Sequence, residues 1–259
     1  MESLSLSQPT RRTWSLEESQ RFLTTLARSV YEHEALNNAF FTTWTRRKLP
    51  IADIAVFARN YGHFNRTFPE LLARMIAHTD DVEARLEYAK TLYSEMGYGN
   101  LRKVHSKLFD EFIASLGEQL GDRRRLTWDN LARELPVLPQ TQALIEGERV
   151  LYTGDPATGA GAQLALEWQA YTMQSLLYEG SRNYLELWPS VDGFHEACEF
   201  FYAHIGAAEK EHKDESLLAA VQMDRDEAHR KRLVAGFQQH NHLFANFWKG
   251  IAGQFQGAG

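Results

Sequence analysis

The chain has 259 residues, 44% of them hydrophobic and 12% aromatic, and a formal net charge of −6. That is enough apolar material for one large domain with its own core, and the acidic balance argues against a nucleic-acid partner, whose phosphates favour a basic footprint. Cys198 is the single cysteine, which excludes an intramolecular disulfide and a thiolate zinc site and fits a reducing, cytoplasmic setting.

No run of 18 apolar residues occurs, so no membrane-spanning helix is expected. The opening MESLSLSQPTRRTW lacks the apolar core of a signal peptide. Residues 1–13 are expected to form a flexible tail, 14–250 a single helical domain, and 251–259, ending in GQFQGAG, a second tail.

Helical signals dominate in chain order. SLEESQRFLTTLARSVYEHEAL opens on Ser15 with Glu18 three residues later, a capping box ahead of apolar residues at helical spacing. NNAFFTTWTRRKL and IADIAVFARNYGHFNRTFPELLARMIAH follow, separated by Pro50, with Pro69 expected to kink the second. DDVEARLEYAKTLYSEMG starts from an Asp pair and stops at Gly97, and LRKVHSKLFDEFIASLGEQL is the next helix. Arg123 to Arg125 form a dense basic cluster that reads as a solvated turn. Pro136, Pro139, Pro156 and several glycines then predict short helices joined by loops. Helical periodicity returns from AQLALEWQAYTMQSLLYEGSRNYL to the end, so the fold class is all-α, a bundle of about eight or more helices.

Metal sites in helix bundles are built from inward-facing Glu and His, often as Glu-x-x-His. Glu209 and His212 have that spacing; three residues advance about 300°, which leaves both on one face, although charged helices produce the same spacing by chance. Glu167, in ALEWQAY, sits among apolar and aromatic residues where a carboxylate needs a partner or a metal. Glu95 ends one helix and His105 opens the next, with Gly97 and Gly99 allowing a sharp turn between them. A surface turn accounts for that pattern as well.

SEMGYGNLRKVHSKLFDEFIASLG, together with LALEW and FFYAHIGAAEKEH, resembles the heme-oxygenase-like diiron oxidases and oxygenases, over roughly residues 50 to 216. In that family a glutamate and a histidine come from the first segment, a glutamate from a middle helix, and His-x-x-x-Asp-x-x-His from a later one. Carried over by position, the resemblance implies Glu95, His105, Glu167, His204 and His212 as metal ligands, with Glu209 in place of the aspartate. It departs from the pattern at one point, because His204 lies five residues before the acid instead of four. Five residues advance about 500°, which turns the two side chains about 140° apart on a straight helix. A π-type bulge near Gly206 would restore the shared face.

The resemblance implies a heme-oxygenase-like helical bundle holding two Fe(II) ions, with O2 as cosubstrate and Glu95 or Glu167 as the bridging carboxylate. Ligands of nitrogen and oxygen without thiolate suit iron or manganese. The substrate would be a small molecule, amino-acid-like or fatty-acid-like, altered by N-oxygenation, desaturation or oxidative C–C cleavage in a biosynthetic pathway. An external electron donor and a homodimer are compatible with this reading. Tyr98, Tyr171 and Phe201 are expected as pocket walls from their helical spacing to the ligands, and core packing explains them equally well. His63 is expected in a packed or supporting role; His33, His78, His195, His229, His240 and His242 read as helix-surface or terminal residues. Arg59, Arg66 and Arg102 are expected at the surface.

Three other readings compete. A heme-binding oxygenase of the same fold would use one axial histidine and leave the three acids without purpose. A thiaminase-like or cofactor-free pyrroloquinoline-synthase-like enzyme is also all-α, but the former needs a catalytic cysteine, whereas Cys198 in EACEFF occupies an apolar helical position. A non-catalytic interaction protein that has kept the fold draws its support from the five-residue spacing of His204 and Glu209.

Overall fold

A computed structural model describes residues 12–205 and 207–256, and the side chains of all of these except 207–211. Among them are twelve α-helices and no strand. The first, α1 (Leu16–Arg28), starts as its capping box dictates: the Glu18 amide donates to Ser15 Oγ at 3.2 Å, and the Ser15 amide donates to Glu18 Oε2 at 2.8 Å. Asn38 caps α2 (Ala39–Arg46), Pro50 precedes α3 (Ile51–His78), and Asp81 caps α4 (Val82–Glu95). α3 stays helical through Pro69. The missing N–H of that proline leaves the Asn65 carbonyl without its ladder donor.

Next come α5 (His105–Gln119), α6 (Trp128–Glu134), α7 (Pro139–Thr153) and α8 (Pro156–Ser181). This middle region is more helical than the prolines and glycines suggest. Pro139 and Pro156 occupy first-turn positions, where a missing N–H costs nothing, and Asp155 caps α8 by accepting from the Ala157 amide at 3.0 Å. The chain finishes with α9 (Val191–Ala197), α10 (Glu199–Ile205), α11 (Ala207–Met223) and α12 (Glu227–Ala252). The bulge expected near Gly206 falls outside the described residues.

α8 is the central helix, packed against α2, α7, α10, α11 and α12. It is buried around most of its circumference, from Ala157 and Ala160 to Leu177, as a helix without a polar face must be. Its crossing with α12 is reciprocal: a Cβ on Gly161 would strike the Leu233 carbonyl, and one on Gly236 would strike that of Thr158. Two backbones therefore touch where only glycine fits. At one end of the bundle Phe40, Trp44, Phe57, Tyr61 and Trp248 form a fully buried aromatic cluster, with Phe40 and Trp248 stacked at 4.6 Å. Each such ring contributes about 2–3 kcal/mol through burial.

Residues 12 and 13, and 251 to 256, expected in the tails, are held against the bundle. Arg12 donates from Nη2 to the Val221 carbonyl at 2.5 Å, and the Thr13 amide donates to the Arg225 carbonyl at 2.8 Å. At the other end α12 includes Ile251 and Ala252, Phe255 is buried in the core, and the Gln256 amide donates to Asp53 Oδ1 at 3.2 Å. Apolar burial and paired backbone groups hold these residues, which composition alone reads as terminal fraying.

Candidate metal centre

Glu95 is the last residue of α4 and His105 the first of α5. Gly97, Tyr98 and Gly99 take φ values of 66°, 53° and 81°, so three successive left-handed residues reverse the chain between them. A Cβ at Gly97 would collide with the backbone of Lys103 and Val104. The reversal brings His105 Nδ1 to 3.1 Å from Glu95 Oε1. That contact lies off the hydrogen-bonding axis, leaving Nδ1 of this buried ring without a hydrogen-bond partner.

α10 supplies the third member. His204 Nε2 lies 3.8 Å from Glu95 Oε1, and the His105 and His204 rings are 4.2 Å apart between centroids. His204 Nδ1 is 2.7 Å from the Phe200 carbonyl; a carbonyl only accepts, so Nδ1 carries a proton and the ring turns Nε2 toward the site. One ligand atom each from Glu95, His105 and His204 falls within 4.8 Å of the others, and all three residues are buried. Burial alone would raise the Glu95 pKa, but the adjacent His105 and His204 outweigh it and hold the carboxyl well below the ordinary carboxylate range.

Glu95 and His204 share a cavity of about 40 Å³ with Glu167 of α8 and His212 of α11. Glu167 and His212 are 3% and 9% exposed, so four helices bring ionisable groups to one buried point. By the roughly 10–15 Å³ that one water requires, the space suits ions and a few waters. A larger cleft of about 490 Å³, lined in part by Arg124, Asn130 and Glu134, shares no residue with this cluster.

Of the six expected ligands, five converge here; the Glu209 side chain lies outside the described residues. The three expected pocket aromatics do not line the cavity. Tyr98 is 56% exposed in the left-handed turn, Tyr171 is 42% exposed beside the Lys213 ammonium, and Phe201 is fully buried against Phe112 at 4.8 Å. The cavity walls are instead Tyr61, Phe64, Asn65 and Phe68 of α3, with Met173 and Gln174 of α8. Residues 61, 65 and 68 follow helical spacing, a signal present in NYGHFNRTFP, whereas His63 points elsewhere on the helix. His63 is half-buried, its pKa lowered by burial and then by Arg59 and Arg66. Arg59, expected at the surface, is buried and donates to the Leu135 carbonyl at 3.0 Å, and His240, expected at the surface, is fully buried. Cys198 is core, its thiol pushed up to about 12 by burial.

Residues 55–245 match the family model of iron-containing redox enzymes, a span that includes all six expected ligands. The chain belongs to this family. Similarity to individual curated proteins is partial: the 4-aminobenzoate synthase of Chlamydia muridarum is 28% identical over 102 residues, which is 39% of this chain and 42% of that one. Its Chlamydia trachomatis counterpart is 27% identical over 103 residues, 39% of this chain and 43% of that one. The matched stretch thus spans less than half of the length of these relatives. Among solved structures, a CADD-like protein of unknown function from Nostoc punctiforme superposes with a TM-score of 0.73 at 16% identity, covering 92% of this chain and 99% of that one. A TenA homologue from Pseudomonas syringae gives 0.69 at 13% identity, covering 94% and 99%. A domain of unknown function from Shewanella denitrificans with a heme oxygenase-like fold gives 0.62 at 16% identity, covering 92% of each chain. At these identities the likeness is one of fold: a heme-oxygenase-like all-α bundle.

The donor set fits the metal that the family name carries. Carboxylate and imidazole suit iron, the orphaned His105 Nδ1 and His204 Nε2 lie beside a carboxylate held in its charged form, and the site is buried.

Proposed function

We propose that this member of the iron-containing redox enzymes is a non-heme diiron, O2-dependent oxidase or oxygenase acting on a small molecule. The convergence of Glu95, His105 and His204 within 4.8 Å carries the reading. These three would hold one iron, and Glu167 and His212, with Glu209 as the expected sixth ligand, would complete a second position in the same cavity. Iron bound here supplies the electron-transfer and O2 chemistry that protein side chains lack. The chain's own contribution is to keep the Glu95 carboxyl ionised, to fix the His204 ring through the Phe200 carbonyl so that Nε2 faces the site, and to wall the cavity with Phe64, Phe68 and Met173.

The substrate class follows the resemblance to the family: an amino-acid-like or fatty-acid-like molecule modified by N-oxygenation, desaturation or oxidative C–C cleavage. Partial similarity to two 4-aminobenzoate synthases supports small-molecule biosynthesis. An external donor would return electrons to the iron, in a cytoplasmic setting that the lone buried thiol of Cys198 fits. A cavity of about 40 Å³ favours bare ions over a porphyrin.

The test is anaerobic reconstitution with Fe(II), metal analysis, and stopped-flow mixing with O2. Close to two irons per chain and rapid O2-dependent oxidation are expected. Saturation at one iron would remove the diiron assignment, and indifference to O2 would remove the oxidase.

A further inference from the structure

The interior behind the site holds a polar arm that the ligand set does not use. Gln163 and Glu167 stand one turn apart on α8, and Gln163 Nε2 donates to Glu167 Oε1 at 2.5 Å. The Tyr152 hydroxyl on α7 donates to Gln163 Oε1 at 2.7 Å. One turn back on α7, Glu148 stands beside that phenol, and its Oε1 lies 2.8 Å from His240 Nδ1 of α12, off the hydrogen-bonding axis. His240 Nε2 lies 2.7 Å from Gln169 Nε2, back on α8. None of these residues is more than 3% exposed.

The chemistry gives the arm a direction. Gln163 turns its NH2 toward Glu167 and its carbonyl toward Tyr152, and the phenol donates. Burial first, then the nearby charges of Glu148 and Glu167, raises the Tyr152 pKa well above its usual value and keeps it a donor. Burying this many polar groups is costly in a core that apolar residues of similar size would fill without penalty. The cost has a return if the arm sets the rotamer of Glu167, as outer hydrogen-bond partners do for metal-binding carboxylates.

We propose that Gln163 and Tyr152, braced by Glu148 and His240, are positioning residues that orient Glu167 toward the metal cavity. The proposal rests on Glu167 being a ligand, as set out under Proposed function. The test uses the full metal-free chain titrated with Co(II), whose visible bands report ligand geometry without turnover. Tyr152→Phe and Gln163→Leu are each expected to weaken Co(II) binding about 10- to 100-fold and to shift the bands, while the metal-free melting temperature stays within a few degrees of wild type. Glu148→Gln, which keeps the shape of its side chain, should give a smaller shift in the same direction and serves if either of the others fails to fold. Unchanged affinity and bands in the folded variants, with normal Co(II) binding by wild type, would overturn the positioning role alone. A wild-type chain that binds no Co(II) would overturn the metal site and this proposal together.

Discussion

His204 donates from Nδ1 to the Phe200 carbonyl at 2.7 Å, one helical turn back, and this bond decides which nitrogen faces Glu95. His204→Ala should therefore weaken Fe(II) binding by about 10-fold or more, since a ligand fixed by its own helix cannot be replaced by water without loss. Anaerobic titration measures this. Full affinity in the variant would place His204 outside the site.

Glu95→Gln keeps the volume of the side chain and removes its charge. The Glu95 carboxyl is held ionised by His105 and His204, so the amide should abolish binding at the first iron position and leave helix content by far-UV circular dichroism unchanged. Loss of the fold instead would assign Glu95 a structural role.

Gly97→Ala tests the reversal that joins Glu95 to His105. At φ 66° an alanine costs about 1–2 kcal/mol, and its Cβ meets the Lys103 and Val104 backbone. The turn has to open, the 3.1 Å contact between Glu95 and His105 is lost, and metal affinity should fall together with the melting temperature. A variant with both properties of wild type would show that the turn is not needed.

Gly236→Ala probes the crossing of α8 and α12, where a methyl group would run into the Thr158 carbonyl. Separating two buried helices should cost about 3 kcal/mol or more, readable as a shift in the urea midpoint. A change below about 1 kcal/mol would mean that the helices part easily.

Stability should decline in alkali. Burial raises the Cys198 pKa from 9.0 to about 12, and raises that of Tyr184 from 10.0 to about 12 despite the opposing Leu49 backbone contact. The unfolded chain then loses these protons before the folded one does. Their contribution is complete below about pH 9 and is lost as pH rises toward 12. Urea midpoints measured from pH 8 to 11 should fall, and Cys198→Ala with Tyr184→Phe should flatten the slope; an unaltered slope would refute this assignment.

Helix class, most element starts and several of the residues that gather at the candidate site were legible in the sequence, because they depend on local rules. Ser15 with Glu18, Asp81 before α4 and Gly97 after it are caps and stops set by neighbouring residues. Glu95 and His105 could be paired in sequence since only a short glycine-containing turn separates them. Tertiary structure decided what depends on which faces meet. Residues 61, 65 and 68 of α3, instead of Tyr98, Tyr171 or Phe201, wall the cavity because α3 packs one face beside α4 and α8. His240 belongs to the interior because Gly161 and Gly236 let α12 lie directly on α8. The Glu167 arm through Gln163 and Tyr152 joins helices α8 and α7, and no periodicity within either helix announces it. Spacing determines which side chains share a face of one helix, while the close approach of separate helices determines which of those faces enclose a site.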